Sequence, residues 1–101
     1  MKISKEHKIS VVEDATHTSN INKKIGSHGE LVYFSFHPVK NLAMPTGGLI
    51  SINTKNHKKI TKILKEKRLC GISSRKVDDY DIKNIGWDNY INEFSADIDI
   101  D

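Results

Sequence analysis

The stretch Glu30–His37, ELVYFSFH, has six β-forming or apolar residues in eight, Glu30 and Ser35 excepted, and Pro38 closes it. β-Branched and aromatic side chains fit a pleated surface, and proline removes the N–H that a strand ladder needs. The stretch is predicted to be a strand crossing the middle of a sheet. Alternation sends Phe34 and Phe36 to one face and Tyr33 to the other.

Working outward, Lys8–Glu13 (KISVVE) alternates around Ile9 and Val11 and predicts a first strand. Between the two strands, Asp14–Gly29 is rich in Thr, Ser, Asn and Lys and ends in the turn cluster Gly26, Ser27, His28 and Gly29. Ile21 and Ile25 are spaced for a short helical turn. Downstream, Val39–Gly48 contains Pro45, Gly47 and Gly48 and predicts a long loop, the kind of connection that often carries function. Leu49–Asn53 (LISIN) is then a strand pairing antiparallel with the central one.

Lys55–Leu69 is the best helix: Ile60, Ile63 and Leu64 fall at i, i+3 and i+4, Thr54 or Asn56 stands at the start, and Gly71 stands where a left-handed cap is wanted. Ile72–Val77 predicts a further strand. Asp78–Phe94 predicts a helix interrupted near Gly86, with Ile82, Ile85, Tyr90, Ile91 and Phe94 turned inward. The order β, β, β, α, β, α describes an α+β fold, a small antiparallel sheet of about four strands with one or two helices on one face.

The chain has 101 residues and a mass of 11.5 kDa, which predicts one domain over 1–101. Its 37% hydrophobic and 29% charged residues exclude a membrane span and wholesale disorder. No signal-peptide stretch opens it, and a lone Cys70 allows no intramolecular disulfide, so Cys70 is read as a buried apolar residue and the location as cytoplasmic.

The net charge of +3 hides a division. Residues 1–76 carry a balance of +10 and residues 77–101 one of −7. The acidic segment 78–101 is predicted to dock on the basic body through Trp87, Tyr90 and Phe94, with 95–101 a frayed end.

Within the predicted helix, Lys55, Lys58, Lys59, Lys62, Lys65 and Arg68 form a basic surface. It is read first as a solvated face and second as a surface for phosphates or an acidic protein. His28 in the turn and His37 at the strand end are the best-placed pair for metal-independent RNA cleavage, since each imidazole can take or give a proton near neutrality. Scattered histidines on turns are more often solvent-facing. The spacings of His17, His28, His37 and His57 match no metal site, and no cofactor signature is present, so neither metal nor cofactor is predicted.

Trp87, Asp88 and Tyr90, with Asp78, Asp79 and Asp81, have the mix of aromatic anchors and rimming charges found at protein interfaces. The sequence thus predicts a small protein-binding accessory protein and leans away from an enzyme: an inhibitor, immunity-type or anti-defence protein acting on another protein through that segment. The alternative is a ribonuclease or RNA-binding domain built on the basic helix and His28 with His37. A subunit that homodimerises through an edge strand is a third reading, and no membrane partner is predicted.

Overall fold

The computed structural model describes residues 2–18, 25–40, 43–76 and 79–93. Its elements run α1 (Lys2–Glu6), β1 (Val12–Asp14), β2 (Leu31–Ser35), β3 (Gly48–Ile52), α2 (His57–Arg68), β4 (Ile72–Lys76) and β5 (Asp79–Ile82). They divide into two units, one comprising the described residues through Lys55 and resuming at Ile91, the other Asn56–Tyr90.

In the first unit β2 is the middle strand of the order β1-β2-β3. β3 pairs with it antiparallel, Tyr33 opposite Ile50 and Ser35 opposite Gly48. β1 pairs with it parallel, Val12 opposite Leu31 and Asp14 opposite Tyr33. This corrects the all-antiparallel sheet read from the sequence. The physical reason is the sixteen-residue connection from Ala15 to Glu30, long enough for the crossover that parallel strands require.

β1 also starts later than predicted. Residues 2–6 form a helical turn, the N–H groups of His7 and Ile9 donate to the carbonyls of Ile3 and Ser4 at 3.0 and 2.9 Å, and Lys8 takes a φ of 53°. That left-handed residue cannot continue a strand.

β2 buries one face: Val32 is fully buried and Phe36, just past the strand, is 8% exposed, with Phe34 half-buried between them. Ala15 and Met44, 3% and 4% exposed, complete the buried apolar set among the described residues. Val12, Leu49 and Ile50 are exposed.

In the second unit α2 packs against β4, and β4 pairs with β5 antiparallel. Ile60 and Leu64 are half-buried rather than buried, and Ile63 is exposed. Gly71, at φ 81°, donates its N–H to the Glu66 carbonyl at 2.8 Å, which satisfies one of the orphan carbonyls at the end of α2. Cys70 is exposed, not buried, because it occupies the left-handed turn after α2, with φ 51°.

The helix predicted over 78–94 is not formed in its described part. Asp79–Ile82 is strand β5, since Tyr80 and Ile82 alternate with Asp79 and Asp81. Beyond it, the Trp87 and Asn89 N–H groups donate to the Lys67 and Arg68 carbonyls at 2.7 and 3.0 Å. The backbone groups that a helix would use internally here complete the C-terminus of α2 instead. Asp78, Phe94 and the end 95–101 lie outside the described residues, and with them part of the predicted docking.

Candidate functional site

Because β1 and β2 are parallel, their C-terminal ends share one sheet edge, where ligands of α/β sheets gather. Asp14 ends β1 and is followed by Ala15, Thr16 and His17; Ser35 ends β2 and is followed by the loop carrying His37 and Lys40. Two backbone bonds close that loop, Phe36 N–H to the Gly47 carbonyl at 3.1 Å and Met44 N–H to the Phe36 carbonyl at 2.8 Å. Inside it, the Lys40 N–H donates to the His37 carbonyl at 2.8 Å, making a tight turn at Pro38 and Val39.

The turn brings the Lys40 Nζ to 2.9 Å from the His17 Nε2. These residues are 23 positions apart in sequence. The Lys40 Nζ also lies 3.5 Å from the His17 Nδ1; a lysine ammonium has only donors, so the imidazole is the acceptor of this contact.

Asp14 stands at the same edge. Its carboxylate accepts the Thr16 N–H at 3.0 Å. That N–H first, then the Tyr33 and Thr16 hydroxyls, hold the carboxyl below the ordinary aspartate value. The same contact raises the Tyr33 phenol, because it donates to a carboxylate across the strand pair.

Glu13 points its chemistry elsewhere. Its carboxylate accepts the N–H groups of Gly26, His28 and Gly29 at 2.6, 2.9 and 2.9 Å. The Gly26 bond most, then Gly29 and His28, depress the Glu13 carboxyl. Glu13 thus holds the turn leading into β2.

Of the residues singled out from sequence, His28 lies in that turn, with Nδ1 at 3.1 Å from the Ser27 Oγ. His37 lies past the other end of β2, where its Nδ1 accepts the Val39 N–H at 3.4 Å. The five-residue strand between them is about 13 Å long at a rise of ~3.3 Å per residue, and the structure does not bring the pair together. Trp87 and Tyr90 are 71% and 58% exposed, Asp88 bridges Leu69, and Asp79 and Asp81 lie on β5. Lys58, Lys59, Lys62, Lys65 and Arg68 lie on α2, and Lys55 precedes it.

Asp14, His17 and Lys40 form a cluster that sequence reasoning missed. The signal was present: EDATH ends β1 and runs on past it, and HPVK begins two residues past the end of β2, the positions that a shared sheet edge brings together. Among the described residues no group of three or more His, Cys, Asp or Glu is placed to hold a metal, and no helix is long and apolar enough to cross a membrane.

The model of the DegT/DnrJ/EryC1/StrS aminotransferase family matches residues 1–100. A Campylobacter jejuni protein named UDP-4-amino-4,6-dideoxy-N-acetyl-beta-L-altrosamine transaminase is 33% identical over 91 residues, 87% of this chain and 23% of that protein. A Helicobacter pylori protein of the same name is 27% identical over 98 residues, 94% of this chain and 25% of its own length. Among solved structures, Helicobacter pylori PseC, an aminotransferase involved in the biosynthesis of pseudoaminic acid, superposes with a TM-score of 0.79 at 26% identity over 94% of this chain and 26% of that one. The chain therefore spans about a quarter of the length of these relatives.

These matches overturn two expectations. The architecture is part of an aminotransferase fold, not a small four-stranded antiparallel sandwich. The relatives are transaminases, which removes the inhibitor, immunity-type and anti-defence reading, the ribonuclease alternative, and the lean away from an enzyme.

Proposed function

The chain belongs to the DegT/DnrJ/EryC1/StrS aminotransferase family, and from that membership we propose that it carries the amine-handling centre of an aminotransferase acting on an amino-sugar nucleotide. The cofactor of this proposal is pyridoxal phosphate, with Lys40 as its covalent anchor and Asp14 as the partner of its ring nitrogen. The substrate class comes from the transaminases it resembles.

The observation that carries the reading is the Lys40 Nζ at 2.9 Å from the His17 Nε2, on the sheet edge where Asp14 ends β1. The donor set fits the cofactor: a primary amine to bond an aldehyde, and a carboxylate kept ionised to face a protonated ring nitrogen. Bound there, pyridoxal phosphate supplies an electron sink for the substrate carbon that gives up its proton.

The chain's own residues have defined tasks. Lys40 is a nucleophile only after its ammonium loses a proton, and the His17 Nε2 is the acceptor within hydrogen-bond reach. The Thr16 N–H and the Tyr33 hydroxyl orient the Asp14 carboxylate and keep it charged. The Ser35 Oγ accepts the His37 N–H at 3.3 Å, which ties the start of the loop to the end of β2. The two backbone bonds at Phe36 fix where the loop delivers Lys40.

Titrating the purified chain with pyridoxal phosphate and following the cofactor's absorbance tests the reading. The wild type should shift the absorbance away from that of the free cofactor, Lys40→Ala should not, and Asp14→Asn should need at least tenfold more cofactor. A Lys40→Ala protein that shifts the absorbance as the wild type does refutes the assignment.

A further inference from the structure

Asp14, Tyr33 and Ile50 stand at one level across the first sheet, Asp14 of β1 opposite Tyr33 of β2 and Tyr33 opposite Ile50 of β3. Directly opposed residues share a face, and alternation puts this one across the sheet from the face that buries Val32. It is the open face: Asp14 is exposed, and Tyr33 and Ile50 are 37% and 50% exposed. A phenol therefore lies beside the carboxylate proposed to meet the ring nitrogen.

The backbone fixes that level, because the Ala15 N–H donates to the Tyr33 carbonyl at 3.0 Å. The Tyr33 hydroxyl donates to the Asp14 carboxylate. Thr16 holds the same carboxylate twice, with its N–H on Oδ1 at 3.0 Å and with its hydroxyl. A carboxylate has about four lone-pair positions, so three donors leave room for one more. The orientation of Asp14 survives the loss of the phenol, since both Thr16 bonds are local and remain. What the phenol adds is electronic: a donor that draws on a carboxylate's charge lowers its affinity for a proton, and the next donor meets a weaker acceptor. The charged neighbour of Asp14 is His17, on which Lys40 is held. Glu13 is engaged by Gly26, His28 and Gly29, and Ile50 brings no charge.

We propose that Tyr33 is a positioning residue that weakens Asp14 as a hydrogen-bond acceptor and so sets how tightly the chain holds the protonated ring nitrogen of its cofactor. This rests on Asp14 as the partner of that nitrogen and deepens it: the site moderates the contact instead of maximising it. A weaker acceptor leaves the proton on the ring, where its charge draws electrons.

Tyr33→Phe, which removes one oxygen, tests the proposal, with Tyr80→Phe on β5 as the control. In the chain without cofactor, carbon NMR follows the aspartate carboxyls, and Asp14→Asn assigns the Asp14 signal. Losing a donor to the charged form raises a carboxyl, so Asp14 should titrate at higher pH in Tyr33→Phe than in the wild type and be unmoved in Tyr80→Phe. In the pyridoxal phosphate titration, Tyr33→Phe should reach half-saturation at severalfold less cofactor than the wild type, a gain that damage to the fold does not produce, and Tyr80→Phe should match the wild type. An Asp14 signal unmoved by Tyr33→Phe, or a Tyr33→Phe protein that needs as much cofactor as the wild type or more, overturns the proposal. Asp14→Asn separates the two failures. If it binds the cofactor as tightly as the wild type, the assignment of Asp14 falls and the role of Tyr33 with it. If it binds at least tenfold more weakly while Tyr33→Phe gains nothing, the role of Tyr33 alone falls.

Discussion

Val32→Ala probes whether β2 anchors the sheet that delivers Lys40. Val32 is fully buried in the middle strand, opposite Glu13 on β1 and Ser51 on β3. The substitution removes two methyl-sized groups, about 1.6 kcal/mol of transfer free energy at ~0.8 kcal/mol each. Both neighbouring strands are held by ladders and close over the site only partly, so a residual cavity raises the loss to about 2–3 kcal/mol. Ile50→Ala, on β3 at a side chain 50% exposed, is the matched control and should cost under about 1.5 kcal/mol. Urea unfolding followed by circular dichroism reads both. The Val32→Ala midpoint should fall markedly with an unchanged slope, and the Ile50→Ala midpoint much less. An unmoved Val32→Ala midpoint, or a larger drop for Ile50→Ala, would refute the burial of this face.

Glu13 should make stability acid-sensitive: its folded carboxyl lies below the ordinary 4.5, so its stabilisation is complete above that pH and is lost as pH falls through the lower folded value. In thermal melts, the gap between wild type and Glu13→Gln should be widest near neutrality and close below pH 4.5; a constant gap would contradict the turn-holding role. Gly71→Ala places a Cβ at φ 81° against the Asn84 carbonyl, and should lower stability by at least about 1 kcal/mol. An unchanged melting temperature would mean that the α2 cap is not as described.

The parts of the fold legible in sequence were those with strong local patterns. ELVYFSFH contains β2, LISIN overlaps β3, and the Ile60, Ile63, Leu64 stripe marks α2. Strand direction was not legible, because period-two alternation is the same for parallel and antiparallel partners. Ile82 and Ile85 suggested a helix through helical spacing. The Asp79–Ile82 alternation and the demand of α2 for backbone donors decided otherwise. The Asp14, His17 and Lys40 cluster stayed hidden for the same reason as the strand direction. Only a parallel β1-β2 pair puts the ends of two distant segments on one edge.

Of the fourteen lysines, Lys40 is the proposed cofactor anchor. Borohydride trapping of the protein mixed with stoichiometric pyridoxal phosphate, followed by proteolysis and mass spectrometry, measures this directly. The reduced cofactor is expected as a stable secondary amine on the Lys40 peptide, in clear excess over every other lysine. Label spread evenly over the α2 lysines, with Lys40 unmodified, would contradict it.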